Sequence, residues 1–173
     1  MTLLPQTGKL ANRVVVSRLE PCSIDVDALR EQLARNDCGA VVVFEGRARA
    51  SSQGREVVAL DYEAFERIAV AQLADIAREV ATVHDLGSVA AVHRVGRVAA
   101  GGIGVVVGAA SPHSRDAFAA ATTLLARVKT EVLIWKKEVF ADGAEWVQAG
   151  RPLAPTTATR LRLADGSSAD GAP

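Results

Sequence analysis

Hydrophobic residues recur along the chain with two different periods. Five short runs are apolar or alternate between apolar and polar residues, a pattern that predicts β-strands. They are RVVVSRLE (13–20), GAVVVFEGRAR (39–49), EVVALDYEAF (56–65), SVAAVHRVGRV (88–98) and IGVVVGAAS (103–111). Residues 23–35, 66–85 and 114–131 repeat apolar residues at helical spacing, and a last strand follows them. The order β-α-β-β-α-β-β-α-β predicts an α+β domain with a mixed or antiparallel sheet.

Each predicted helix has an apolar face. Ser23 or Asp25 is able to cap the first helix. The residues expected to face the core are Val26, Leu29 and Leu33 in the first helix, Ile68, Leu73, Ile76 and Val80 in the second, and Phe118, Ala121, Leu125 and Val128 in the third. The pairs Gly101-Gly102 and Asp142-Gly143 predict turns, and SSQGR (51–55) predicts a flexible loop.

The two ends of the chain lack this periodicity. Residues 1–12 contain Pro5 and Gly8 and predict a flexible N-terminal arm. Residues 151–173 are rich in Pro, Thr, Ala, Ser, Asp and Gly, which predicts a disordered C-terminal tail. A single folded domain is therefore expected over residues 13–150.

Charge and composition exclude several classes of protein. The 173 residues include 20 basic and 20 acidic side chains, and aromatic residues make up 4% of the chain. A nucleic-acid binder working through excess positive charge or aromatic platforms is therefore not expected. No apolar run reaches the length of a membrane span, and no secretory leader is visible. Cys22 and Cys38 are expected to be ordinary thiols in a reducing cytoplasm, and no metal or cofactor motif is present.

The segment ARVKTEVLIWKKEVF (126–140) places charges inside an apolar run. With the two-residue period of a strand, Lys136 and Glu138 share one face while Trp135 and Lys137 share the other. A buried ammonium is costly unless a partner or a function compensates for it. A lysine whose tip reaches water from a covered stem remains the alternative.

Three other positions carry charge that packing alone does not require. Arg47 and Arg49 follow a strand and suit a phosphate or carboxylate, although a solvated strand end explains them equally well. SPHSRDAF (111–118) places a histidine and an arginine at a helix start, where Ser114 is able to serve as the cap; this is either an anion site or a plain cap. Lys129 lies at the edge of its helix face, near the negative end of the helix dipole. If these groups converge, they form a pocket for a phosphorylated or carboxylated small molecule.

The order of these motifs closely resembles the molybdopterin synthase large (catalytic) subunit family. The likeness runs from Val14 to Val147 through GAVVVFEGRAR, VVALDYEAF, VAAVHRVGRV, SPHSRDAF, VKTEVLIWKKE and DGAEWV. It implies an α/β hammerhead-like domain with an additional small antiparallel β subdomain. It also implies insertion of two dithiolene sulfurs into cyclic pyranopterin monophosphate, with sulfur supplied by the C-terminal Gly-Gly thiocarboxylate of a small ubiquitin-like partner. Large subunits of the family form a homodimer within a heterotetramer.

The resemblance also implies roles for individual residues. Lys129 and Lys136 match the two essential lysines of the family and are the expected catalytic residues. The residues expected to bind substrate are Arg47, Arg49, His113, Ser114, Arg115, Lys137 and Glu138. The arginine that usually follows the family histidine is replaced here by Ser114, and the nearest arginine is Arg115. The alternative is a paralogue that dimerises and binds the partner's tail without turnover, but the presence of both lysines favours the enzyme.

Overall fold

The computed structural model describes residues 13–148 and 151–152, which form an α+β domain. The helices are α1 (Val26–Leu33), α2 (Glu66–Val83) and α3 (Ser114–Glu131). The strands are β1 (Val14–Glu20), β2 (Ala40–Arg47), β3 (Ser51–Ser52), β4 (Arg55–Glu56), β5 (Ala59–Ala64), β6 (Ser88–Arg94), β7 (Gly96–Ala99), β8 (Ile103–Ser111), β9 (Ile134–Phe140), β10 (Gly143–Gln148) and β11 (Arg151–Pro152). The predicted arm, and the predicted tail beyond β11, lie outside the described residues.

A four-stranded sheet in the order β1-β6-β8-β2 forms the main layer of the domain. β1 is parallel to β6, whereas β8 is antiparallel to both of its neighbours. α2 and α3 pack on one face of this sheet and α1 packs on the other. Because β8 is covered on both faces, its sequence is an almost unbroken apolar run instead of an alternating one.

A second sheet, in the order β11-β10-β9-β5-β7, is antiparallel throughout. Its small core contains Val57, Leu60, Val98 and Phe140 together with Ala48. This sheet is the additional β subdomain that the family resemblance implies, and the predicted fold class is confirmed. The loop predicted at 51–55 instead forms a short hairpin from β3 and β4.

The strand predicted over residues 88–98 is divided between the two sheets. β6 ends at Arg94 in the first sheet, and β7 begins at Gly96 in the second. Gly96 has a φ of +74°, a conformation that glycine adopts readily because it has no Cβ. The continuous strand prediction is therefore wrong at this point.

The predicted helix faces are correct for α1 and only partly correct for the other two helices. The carboxylate of Asp25 accepts a hydrogen bond from the Ala28 N–H at 2.9 Å, so Asp25 and not Ser23 caps α1. Ile68 is 50% exposed in α2 and Phe118 is 63% exposed in α3. The buried residues of α3 are Ala117, Ala120, Ala121, Leu124 and Val128.

Candidate active site

Lys136 lies on β9, on the face of the second sheet that carries the small core. It pairs directly with Tyr62 of β5 and with Val147 of β10, so these three side chains share one face. The Lys136 ammonium is 3.4 Å from the carboxylate of Glu138, and the two side chains are 31% and 11% exposed. A half-buried cation next to a buried carboxylate retains its partner while its side chain stays partly open to solvent, as a group that donates or accepts protons requires.

Tyr62, the strand neighbour of Lys136, packs against His93 of the first sheet. Their rings meet edge to face with centroids 4.9 Å apart. A Cβ at Gly104 would lie 2.6 Å from the Tyr62 hydroxyl oxygen, so the tyrosine reaches across the β8 backbone where glycine leaves room for it. Burial, helped by the negative charge of Glu138, raises the pKa of Tyr62 to about 12, which keeps the phenol protonated near neutral pH.

His93 is held neutral in the folded protein. Its Nδ1 is 2.8 Å from the Arg94 carbonyl oxygen; because a carbonyl only accepts, Nδ1 carries the proton. Burial lowers the pKa of His93 from 6.5 to about 4, against the opposing effect of that hydrogen bond. Sequence reasoning missed both Tyr62 and His93, since their contact depends on how the two sheets meet.

The lowered pKa of His93 predicts a pH dependence of stability. Between pH 6.5 and about 4, the unfolded chain binds a proton at this histidine and the folded chain does not. The contribution of neutral His93 to the free energy of unfolding is therefore fully present above pH 6.5. Up to about 3 kcal/mol of it is lost as the pH drops to 4. Urea unfolding of wild type and His93→Asn between pH 4 and 7.5 measures the effect. The variant should show a shallower slope, and equal slopes would contradict a neutral His93.

Lys137 lies on the opposite face of the same strand. Its ammonium is 4.3 Å from the centroid of the Trp146 ring and 3.6 Å from the carboxylate of Glu63. The face assignment made from the strand period is confirmed for Lys136 and Lys137. Lys137 is thus partnered away from the Lys136–Glu138 pair, and its predicted role in substrate binding stays a prediction.

Lys129 lies exposed in the last turn of α3. Val128 and Val132 on either side of it are buried in the cluster that contains Val105 of β8. Residues 132–133 connect α3 to β9, so Lys129 and Lys136 flank a short connection at the end of the main sheet where Val105 pairs with Gly46.

Arg47 and Arg49 lie near the same end of the sheet but differ in their surroundings. β2 ends at Arg47, with a register irregularity between Gly46 and Arg47. The regular strand therefore does not extend to Arg49. The Arg47 guanidinium is 2.6 Å from the Glu45 carboxylate and donates to the Gly101 carbonyl at 3.0 Å. Arg49 is exposed and makes no hydrogen bond or ion pair with another described residue.

His113, Ser114 and Arg115 are at the start of α3. His113 occupies the N-cap position with extended backbone, and its N–H donates to the Ser111 hydroxyl at 3.3 Å. Ser114 is the first helical residue, so the prediction that Ser114 caps the helix is wrong. All three side chains are exposed, and the structure gives Arg115 no ion pair with any residue it describes.

The predicted site residues form two separate groups within one chain. β8 pairs with β2 from Ile103–Arg47 at one end to Ser111–Ala40 at the other. Eight strand steps separate these ends by about 26 Å at 3.3 Å per residue. α3 starts at the Ser111 end and runs back over the sheet, which returns Lys129 to the Arg47 end. Lys129, Lys136, Glu138 and Arg49 therefore lie at one end, and His113 and Arg115 at the other.

Among residues 13–148 and 151–152, no cluster of three or more His, Cys, Asp or Glu side chains could hold a metal ion. Within the same residues, no helix is long and apolar enough to cross a membrane.

Known proteins with similar sequences belong to one family. Residues 19–131 match the family model described as MoaE protein. A molybdopterin synthase catalytic subunit from Oryza sativa subsp. indica is 42% identical over 132 residues, which cover 76% of this chain and 66% of that protein. The molybdopterin synthase catalytic subunit of Bacillus subtilis (strain 168) is 35% identical over 124 residues, which cover 72% of this chain and 79% of that protein.

Solved structures resemble the fold as well. Molybdopterin synthase from Staphylococcus aureus has a TM-score of 0.73 and 34% identity, and the match covers 76% of this chain and 96% of that one. A complex of subunits 1 and 2 of the molybdopterin-converting factor from Helicobacter pylori contains a chain with a TM-score of 0.62; the match covers 82% of this chain and 93% of that one. At 14% identity, this second likeness shows the fold alone. The family model and the relatives agree with each other, and the chain belongs to the MoaE protein family.

Proposed function

We propose that the chain is the catalytic subunit of a cytoplasmic molybdopterin synthase. It converts cyclic pyranopterin monophosphate to molybdopterin with two sulfurs from the C-terminal thiocarboxylate of a small ubiquitin-like partner. The observation that carries this proposal is the placement of both family-matched lysines, Lys129 and Lys136, at the same end of the sheet. The Lys136–Glu138 pair in its half-buried setting supports it further.

The two lysines suit a reaction in which sulfur replaces oxygen on carbon. The thiocarboxylate sulfur supplies the electron pair for the new carbon–sulfur bond, and the departing oxygen requires a proton. Water then cleaves the bond between that sulfur and the partner's carbonyl carbon, which releases the partner as a carboxylate, and a second thiocarboxylated partner supplies the second sulfur. An ammonium group provides that proton and stabilises negative charge as it develops. We assign Lys129 to the thiocarboxylate end and Lys136 to the pterin end, because Lys129 is exposed on the surface and Lys136 is half-buried.

The separation of the two residue groups supports a site shared between two copies of the chain. A side chain at the His113 end cannot reach across about 26 Å of sheet to the lysines of its own chain. In a symmetric dimer, each chain is able to present its His113 end to the lysine end of the other. We therefore propose a homodimer of large subunits, with one small partner at each site.

Reconstitution tests this function directly. The purified chain is mixed with cyclic pyranopterin monophosphate and a thiocarboxylated Gly-Gly partner, and molybdopterin is measured after oxidation to its fluorescent derivative. Product is expected with the thiocarboxylate and not with the same partner in its carboxylate form. Binding of both partner forms without product would favour the non-catalytic paralogue. Equal product from free sulfide would contradict a sulfur-carrying partner.

We propose that Arg115 supplies the positive charge that the family's arginine provides at the position of Ser114. Arg115→Ala should weaken binding of cyclic pyranopterin monophosphate by about 1–3 kcal/mol, the range for losing a charge-assisted hydrogen bond. The double variant Ser114→Arg, Arg115→Ser should restore the affinity. Calorimetric titration measures both effects, and unchanged affinity in Arg115→Ala would show that this arginine is simply solvated.

A further inference from the structure

The β3–β4 hairpin is too short to hold its own shape. Each strand contributes two residues, and the turn residues Gln53 and Gly54 both have positive φ, at 51° and 79°. An isolated two-stranded hairpin is marginally stable at best, even when it is longer than this one. The Val57 N–H donates to the Ala50 carbonyl at 3.0 Å and closes the base of the hairpin. Its position must therefore be fixed by contacts with the rest of the domain.

Arg55 supplies those contacts from β4. Its guanidinium is 3.0 Å from the carboxylate of Asp142 and 2.5 Å from that of Glu145, in the turn and strand that follow β9. The same group lies over the Phe140 ring, with Cζ 3.6 Å from the centroid. A single exposed ion pair contributes little, but two carboxylates and an aromatic face acting on one planar cation form a directional clamp.

Arg49 immediately precedes this hairpin. On its N-terminal side, the Ala48 N–H donates to the Gly102 carbonyl at 2.9 Å, and the Gly101 N–H donates to the Ala48 carbonyl at 2.7 Å. On its C-terminal side, Ala50 is held by the base of the hairpin. The backbone of Arg49 is thus anchored on both sides, while its side chain has no partner among the described residues.

We propose that Arg55 is a positioning residue that clamps the β3–β4 hairpin to the β9–β10 turn and so fixes Arg49 for the anionic substrate. This inference rests on the proposed function, in which Arg49 binds cyclic pyranopterin monophosphate. Arg55 acts through Arg49 and does not itself contact the substrate, since its guanidinium is already occupied by Asp142 and Glu145. The clamp also links the β3–β4 hairpin, which precedes β5, to the β9–β10 hairpin, which carries Lys136 on β9.

The test uses the reconstituted complex of large subunit and thiocarboxylated partner. Arg55→Met keeps an unbranched apolar stem over Phe140 and removes the guanidinium. We expect the apparent KM for cyclic pyranopterin monophosphate to rise about tenfold, because displacing a binding group by an ångström is enough for such a loss. The kcat should change by less than about twofold, and the apparent KM for the partner should not change, since the lysines remain in place.

Arg127 offers a matched control. It too is held by two carboxylates, Glu79 and Glu131, but it bridges α2 and α3 away from the hairpin. Arg127→Met also removes two ion pairs, and it should leave the apparent KM for cyclic pyranopterin monophosphate unchanged. A loss of stability alone would lower the active fraction in either variant, and therefore kcat, without a selective rise in KM.

Two further variants separate the possible outcomes. Asp142→Asn with Glu145→Gln should reproduce the rise in KM if Arg55 acts as a clamp, and should not if Arg55 touches the substrate directly. In an Arg49→Ala background, Arg55→Met should add no further increase. If Arg49→Ala alone leaves KM unchanged, the proposed role of Arg49 is wrong and the clamp inference is overturned with it. If Arg49→Ala raises KM and Arg55→Met does not, the clamp inference alone is wrong.

Discussion

Lys136→Ala is expected to remove molybdopterin formation almost completely, with a loss of at least about 100-fold, because a positioned acid–base group contributes that much or more. Lys129→Ala should have a comparable effect. Neither change should unfold the protein, since Lys129 is exposed and Lys136 is only half-buried. Product formation in a single turnover, together with a thermal melt of each variant, measures activity and stability separately.

Lys137→Ala is the control for this experiment. The residue is a neighbour of Lys136 on the same strand, has the same chemistry and lies on the opposite face against Glu63 and Trp146. Loss of a partly exposed ion pair of this kind costs about 1 kcal/mol of stability or less, so the variant should stay folded and lose far less activity than Lys136→Ala. If Lys137→Ala proved more damaging than Lys136→Ala, the assignment of the reactive face of β9 would be wrong.

A mixed dimer should recover activity that neither parent possesses. Lys136→Ala and His113→Ala chains carry their changes at opposite ends of the sheet, so each homodimer lacks a required group at both sites. When the two chains are co-expressed with different affinity tags and purified in tandem, one site of the mixed dimer combines an intact Lys136 with an intact His113. Such a dimer should therefore show about half the activity of the wild-type dimer, as its two-fold symmetry requires.

The controls for the mixed dimer are the two parent homodimers and a dimer of wild type with the double variant. That last dimer carries Lys136→Ala and His113→Ala in one chain and damages both of its sites, so it should be inactive. A mixed dimer as inactive as its parents would show that the site is not shared in this way. An active His113→Ala homodimer would show instead that His113 is not required.

Elements with strong apolar periodicity could be predicted from the sequence, and so could the lysines of β9. The alternation of Trp135, Lys136, Lys137 and Glu138 fixes which side chains share a face, because the strand period leaves no choice. The family pattern then marked Lys129 and Lys136 together. The phase of α3 is harder to predict, since alanines dominate its buried face and Phe118, a large apolar residue, is exposed.

What could not be predicted depends on contacts between distant segments. The β6–β7 break moves a run that looks continuous from one sheet to another, and it brings His93 against Tyr62. Cross-strand register places His113 and Arg47 at opposite ends of the main sheet, although both were expected in one pocket. The clamp at Arg55 joins residues about 90 positions apart, a distance over which local propensity carries no information.

Helix α3 joins the His113 end of the main sheet to the Lys129 end within each chain, which limits how its length can vary. Removing a single residue would shorten it by about 1.5 Å and rotate everything after the deletion by about 100°. That rotation would turn Lys129 toward the core and bring a buried residue such as Val128 to the surface. Insertions and deletions that preserve activity should therefore fall in the tip at Gln53–Gly54 or at the termini, and α3 should keep its 18 residues.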